Sequence, residues 1–246
     1  MTNKYMYFVA NWKMYGNLSS LNTLDKVIRF SKSKEIKGGR LIYCPPNTLI
    51  SSFAKKFNNC QIGIGGQNCH ESKDYGAHTG HVNSRMLKNI GAHFVIIGHS
   101  ENREQGESDK LINLKIKSAL DAKLKVIFCI GETLSEKRKK KTRSILSKQI
   151  KIGLKNIKNK SNIFIAYEPV WAIGSGLIPK PQDLFETVEF IKSKFKDKLP
   201  KVLYGGSVNP QNITILRKIN NIDGFLIGGA SQNAKKFIDI VKKTYS

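Results

Sequence analysis

The sequence predicts an α/β fold: a closed (β/α)8 barrel of eight parallel strands ringed by helices, occupying residues 1–246 as one domain. Three observations point to it. Short apolar runs of the kind that buried parallel strands need recur eight times. Lysine-rich stretches with helical spacing separate most of them. The 246 residues also suit a barrel that typically needs about 250. A doubly wound open sheet is the alternative, but it would put a glycine-rich turn after the first strand, where this chain has Asn11-Trp12-Lys13.

The expected strands are residues 5–10, 41–44, 61–64, 94–97, 126–130, 163–167, 202–204 and 224–227. They are continuous rather than alternating because a strand covered on both faces has no solvent side to mark with polar residues. After the first strand, Leu21, Leu24, Val27 and Ile28 fall on one helical face. Leu111, Leu114 and Ile116 do so with Ala119 and Leu120. The charged run from Glu136 to Arg143 reads as the solvated start of a helix. Phe185, Val188, Glu189 and Ile191 begin the next, and Phe237, Ile238 and Val241 mark the last.

Composition narrows the function classes. No apolar run approaches the roughly 20 residues of a membrane span, and the N-terminal apolar stretch is too short for a signal peptide. The expectation is a cytoplasmic protein without a membrane partner. Cys44, Cys60, Cys69 and Cys129 show no C-x-x-C spacing and read as reduced, mostly buried thiols. The net charge of +24 raises the question of nucleic acid, but only 7 of the 42 basic residues are arginine and the lysines spread over nearly every segment. That pattern reads as a compositional bias, with no nucleic-acid partner expected. Cys69, His70, His78 and His81 carry metal-ligand chemistry at a spacing that fits no zinc pattern, so no metal is expected either.

In such a barrel, function collects at the C-terminal ends of the strands. Those ends read Asn11-Trp12-Lys13, Gly98-His99-Ser100-Glu101, Gly131-Glu132, Glu168-Pro169-Val170-Trp171, Gly205-Gly206-Ser207 and Gly228-Gly229. A lysine, a histidine and a glutamate from three strands make an acid–base set. Glycine turns on the last two strands, with Gly174-Ser175-Gly176 on a long sixth loop, offer backbone N–H groups to a phosphate, although each alone could be a tight turn.

Five of these motifs, in order and spacing, resemble the triosephosphate isomerase family over essentially the whole chain. They are Asn11-Trp12-Lys13-Met14, Gly98-His99-Ser100-Glu101, the stretch from Ala166 to Gly176, Tyr204-Gly205-Gly206-Ser207-Val208 and Gly228-Gly229-Ala230-Ser231. The resemblance implies interconversion of dihydroxyacetone phosphate and D-glyceraldehyde 3-phosphate in glycolysis and gluconeogenesis, without metal or organic cofactor. The family is itself a standard example of tuned acid–base catalysis, so the roles are carried over from it rather than derived. Glu168 would be the base and His99 a neutral electrophile, while Lys13 would balance phosphate and enediolate charge. Asn11 would contact substrate oxygen, and Glu101 would hold Lys13. Backbone N–H groups of Gly174, Ser207, Gly228 and Gly229 would take the phosphate. A lid, about 169–179 and including Trp171 and Ser175, would close over it. The resemblance also implies a homodimer in which Thr79, at the tip of the third loop, reaches across the interface.

Several positions depart from the family. His81 stands where an acidic residue is usual and Asn102 where arginine is common, so an ion pair is replaced at both ends. The connection from Arg103 to Glu107 looks one residue short. The lid ends in Leu177-Ile178-Pro179. In relatives the tyrosine matching Tyr204 meets the backbone N–H at the place of Pro179, which proline lacks. The lid is therefore expected to depend on Ser207 near Gly176. Two other classes stay open at this point: another phosphate-handling barrel enzyme, and a basic barrel that only binds.

Overall fold

The computed structural model describes residues 4–33, 35–36, 38–196 and 199–246. Its strands are β1 (Met6–Asn11), β2 (Gly39–Cys44), β3 (Gly63–Gly66), β4 (Phe94–Ile97), β5 (Lys125–Ile130), β6 (Ile163–Tyr167), β7 (Lys201–Gly206) and β8 (Gly224–Ile227). They pair in parallel in chain order and close where β1 meets β8, with Tyr7 opposite Gly224 and Ala10 opposite Ile227. Outside run α1 (Leu24–Ser31), α2 (Ile50–Lys56), α3 (Ser84–Asn89), α4 (Ser100–Glu104) and α5 (Asp109–Asp121). They are followed by α6 (Leu134–Arg138), α7 (Thr142–Gly153), α8 (Pro181–Lys192), α9 (Ile213–Leu216) and α10 (Ala234–Tyr245). Among the described residues, no helix is long and apolar enough to cross a membrane.

The period-2 alternation of a strand divides each run between two cores. Phe8, Ala10, Val95, Phe128 and Ile165 face outward into the layer shared with the helices. Val9, Ile42, Phe94, Ile96, Ile127, Cys129, Phe164, Ala166, Leu203 and Leu226 fill the barrel interior. The same parity aims the site. Asn11 follows Val9 by two, Glu168 follows Ala166 by two, and Gly205 follows Leu203 by two, so each belongs to the inner face at the barrel mouth.

Three expectations need correction. The third strand begins at Gly63, not Gln61, and runs on to Gly66. It escaped an apolar reading because large neighbours occupy its side-chain space: a Cβ on Gly65 would lie 2.8 Å from Cys44 Sγ and 3.0 Å from Phe94 Cβ. On α5 the inward face carries Ile112, Ile116 and Ala119, whereas Leu114 is half exposed. Polar residues share that inward face because they are paired there: the Asn113 amide donates to the carbonyls of Gly153 and Lys155 at 2.8 and 3.0 Å. The charged run 136–143 does not start one helix. It spans the end of α6 and the first turn of α7, with Lys140 at φ +55° breaking the path between them.

Candidate active site

Glu168 leaves β6 with Pro169 behind it, and two glycines make room for it. A Cβ on Gly131 would collide with the Glu168 carbonyl, and one on Gly205 would lie 2.7 Å from Glu168 Cγ and 2.9 Å from Oε1. The carboxyl group is buried. Its Oε1 lies 3.5 Å from His99 Nε2, and its Oε2 has no hydrogen-bond partner among the described residues. The Cys129 thiol borders it from β5; burial pushes that thiol well up, and the charge of Glu168 adds to the effect. His99 precedes α4, and its Nδ1 accepts the Glu101 backbone N–H at 3.2 Å. An accepting Nδ1 carries no proton, so the ring's N–H is at Nε2, facing Glu168 and the mouth.

Lys13 follows β1 with φ +55°, a left-handed conformation unusual for a side-chain-bearing residue. Its N–H donates to Asn11 Oδ1 at 3.1 Å. Its carbonyl accepts from the Gln67 amide at 2.8 Å, and that amide also reaches the Cys44 carbonyl at 2.8 Å. Lys13 Nζ forms an ion pair with Glu101. Sequence reasoning missed Gln67, whose only signal was a polar residue just past an apolar run. It noted Glu132 but gave it no role. Glu132 is buried and accepts from the Trp171 indole N–H at 3.0 Å and from the Tyr167 hydroxyl at 3.2 Å. Burial pushes its carboxyl up, opposed by these donors.

A cavity of about 410 Å³ opens at the mouth. Asn11, Lys13, His99, Glu168, Gly174, Ser207, Gly228 and Gly229 all line it. Lys236 of α10 joins them, unforeseen from the sequence. The expectation for Ser207 changes in one respect. Its backbone N–H, assigned to phosphate, donates to the Ala172 carbonyl at 3.0 Å. Its hydroxyl donates to the same carbonyl at 2.7 Å and accepts from Gly176 N–H at 2.9 Å. Ser207 thus gives its N–H and hydroxyl to the lid. Ser175 donates through Oγ to the Trp171 carbonyl at 3.1 Å. Tyr204 is fully buried, and its hydroxyl has no hydrogen-bond partner among the described residues.

Outside this cavity, Thr79 lies exposed on the third loop. The fold does gather that loop's histidines: the His70 ring centroid is 4.2 Å from that of His78 and 4.7 Å from that of His81. Among the described residues, no three His, Cys, Asp or Glu side chains are arranged to hold a metal ion. Cys44, Cys69 and Cys129 are free and buried, and Cys60 is free and partly exposed.

A closed (β/α)8 barrel with a glutamate, a histidine and a lysine lining one cavity at its mouth beside glycine turns has the build of a (β/α)8-barrel enzyme. Comparison narrows the class. The family model "Triosephosphate isomerase" matches residues 6–244. The chain is 41% identical over 245 residues to the triosephosphate isomerase of Thermodesulfovibrio yellowstonii, covering 96% of this chain and 98% of that protein. It is 41% identical over 244 residues to that of Dictyoglomus thermophilum, covering 95% and 97%. The crystal structure of triosephosphate isomerase from Bartonella henselae superimposes with a TM-score of 0.88 at 36% identity, covering 98% of this chain and 99% of the other. The chain belongs to the triosephosphate isomerase family, and it is an isomerase.

Proposed function

We propose that this enzyme interconverts dihydroxyacetone phosphate and D-glyceraldehyde 3-phosphate by proton transfer through an enediolate. The observation that carries the reading is the meeting of a buried carboxylate with an imidazole whose N–H points into a cavity flanked by glycine turns. Glu168 removes the proton from the carbon beside the carbonyl. The Nε2–H of His99 donates to the carbonyl oxygen as negative charge gathers there, and the ammonium of Lys13 offsets that charge together with the phosphate's. Glu168 then returns the proton to the neighbouring carbon. Asn11 contacts substrate oxygen while holding the Lys13 backbone. Gly174, Gly228 and Gly229 meet the phosphate, and Glu101 keeps Lys13 Nζ at the rim. Closure of the lid excludes water and keeps the enediolate from expelling its phosphate.

The catalytic domain is read as the whole of residues 1–246, acting in the cytoplasm in glycolysis and gluconeogenesis. A homodimer is the assembly the family reading favours, with Thr79 crossing to the partner. The exposure of Met14 (94%), Tyr15 (60%) and Tyr75 (64%) on two loops supports it, because such apolar side chains gain from being covered. A coupled assay with D-glyceraldehyde 3-phosphate, run also in heavy water, tests the chemistry. Turnover with solvent hydrogen appearing on the carbon that receives the proton is expected; absence of turnover by the folded protein would end this reading.

A further inference from the structure

The lid starts in a 3-10 turn, Val170–Ala172, and the Trp171 ring is held there from two directions. In the ring plane, its N–H donates to Glu132 Oε1 at 3.0 Å. Over its face, the Lys137 ammonium lies 3.5 Å from the ring centroid, nearer than any other cation–ring pair among the described residues. At that distance the ammonium rests directly on the negative face of the indole. Lys137 forms no salt bridge among the described residues; besides facing the ring, its charge acts on the Glu132 carboxylate that accepts the indole N–H. Its backbone is fixed as well. α6 begins with a reciprocal cap between Thr133 and Glu136, and the Lys137 N–H donates to the Thr133 carbonyl at 3.0 Å.

Trp171 borders a cavity of about 220 Å³ that is also lined by Glu132, Lys137, Tyr167, Pro179 and Thr187. The two ends of the lid, Trp171 and Pro179, therefore face one space large enough for several waters. With room to turn on one side, the indole is kept in register by its hydrogen bond and by the cation above it. Its orientation matters beyond the ring. The Trp171 carbonyl takes the Ser175 hydroxyl, and the next carbonyl, of Ala172, takes both the N–H and the hydroxyl of Ser207.

We infer that Lys137 is a positioning residue for the lid, its ammonium clamping the Trp171 ring so that the 3-10 turn presents its carbonyls to Ser175 and Ser207. It touches neither substrate nor the reacting atoms. The inference rests on the isomerase reading only through its kinetic readout. Lys137→Met keeps an apolar stem of similar reach and removes the charge, and Lys137→Arg restores a cation that can stack.

Steady-state turnover of D-glyceraldehyde 3-phosphate and acrylamide quenching of tryptophan emission are measured on parent and both variants. Trp12 is buried, so quenching reports chiefly on Trp171. In Lys137→Met, kcat/KM is expected to fall about three- to tenfold, the range of a partly desolvated cation–ring contact. Quenching is expected to rise, with the thermal midpoint little changed, and Lys137→Arg is expected to return both readouts to the parent value. The inference is overturned if either readout stays at the parent value in Lys137→Met, or if arginine fails to restore both. A parent enzyme without turnover would refute the isomerase reading instead, and the quenching comparison would still decide whether Lys137 holds the ring.

Discussion

Replacing Tyr204 by phenylalanine removes one hydroxyl that is buried, unpaired among the described residues and packed against Gly206. The residue that would offer it a lid N–H is Pro179, which has none. An unsatisfied buried polar group costs about 1–3 kcal/mol, so its deletion leaves stability unchanged or raises it. Ser207→Ala is the opposite case. It deletes the hydroxyl's bonds to Ala172 and Gly176 at 2.7 and 2.9 Å and spares only the backbone bond at 3.0 Å. At about 1 kcal/mol net for each, roughly 2 kcal/mol is lost from the tied-down lid, about 30-fold in its population. The assay is kcat/KM with glyceraldehyde 3-phosphate beside a thermal unfolding midpoint. Tyr204→Phe is expected to lose less than about fivefold, with an equal or higher midpoint, and Ser207→Ala to lose about 10- to 30-fold. A tenfold or greater loss in folded Tyr204→Phe would mean that the tyrosine has an essential partner, and the account of this lid would be wrong.

Glu168→Asp draws the base back by about one methylene and should lower turnover about 100-fold while leaving phosphate affinity nearly intact; equal activity would remove Glu168 as the base. Gly205→Ala places a Cβ 2.7 Å from Glu168 Cγ, so kcat should fall sharply with little change in unfolding midpoint, and parent-like kcat would show that the carboxylate tolerates displacement. Burial lowers the affinity of His70 for a proton; Glu71 opposes this, while His78, His81 and Lys115 add to it. A histidine lowered in the folded state contributes stability above its unfolded pKa of about 6.5 and loses it as pH falls below that value. Sedimentation and unfolding from neutral to mildly acidic pH should therefore show the third loop, and a dimer built on it, weakening; an unchanged profile would contradict this.

The candidate residues were legible as motifs at strand ends, and their roles came from the family resemblance. Eight apolar runs mark strands buried on both faces, and parity then carries Asn11 and Glu168 to the inner face of the mouth. Where a pattern lost its usual carrier, the reading slipped. β3 is glycine-rich because Phe94 and Cys44 occupy its side-chain space, and the inward face of α5 includes an asparagine whose partners lie 40 and 42 residues away.

The sequence by itself determined the barrel, the order of its elements and the residue types gathered at its mouth, since periodicity and chain connectivity are local properties. Only the tertiary structure decided which distant groups meet. Examples are Gln67 on the Lys13 carbonyl, Glu132 in line with the Trp171 N–H, Lys137 over the same ring, and the Ser207 N–H on the Ala172 carbonyl. The physical reason is that hydrogen bonds and cation–ring contacts act over a few ångströms. Partners 31 to 54 residues apart come within that range only when the sheet closes and fixes the angle at which each loop leaves its strand.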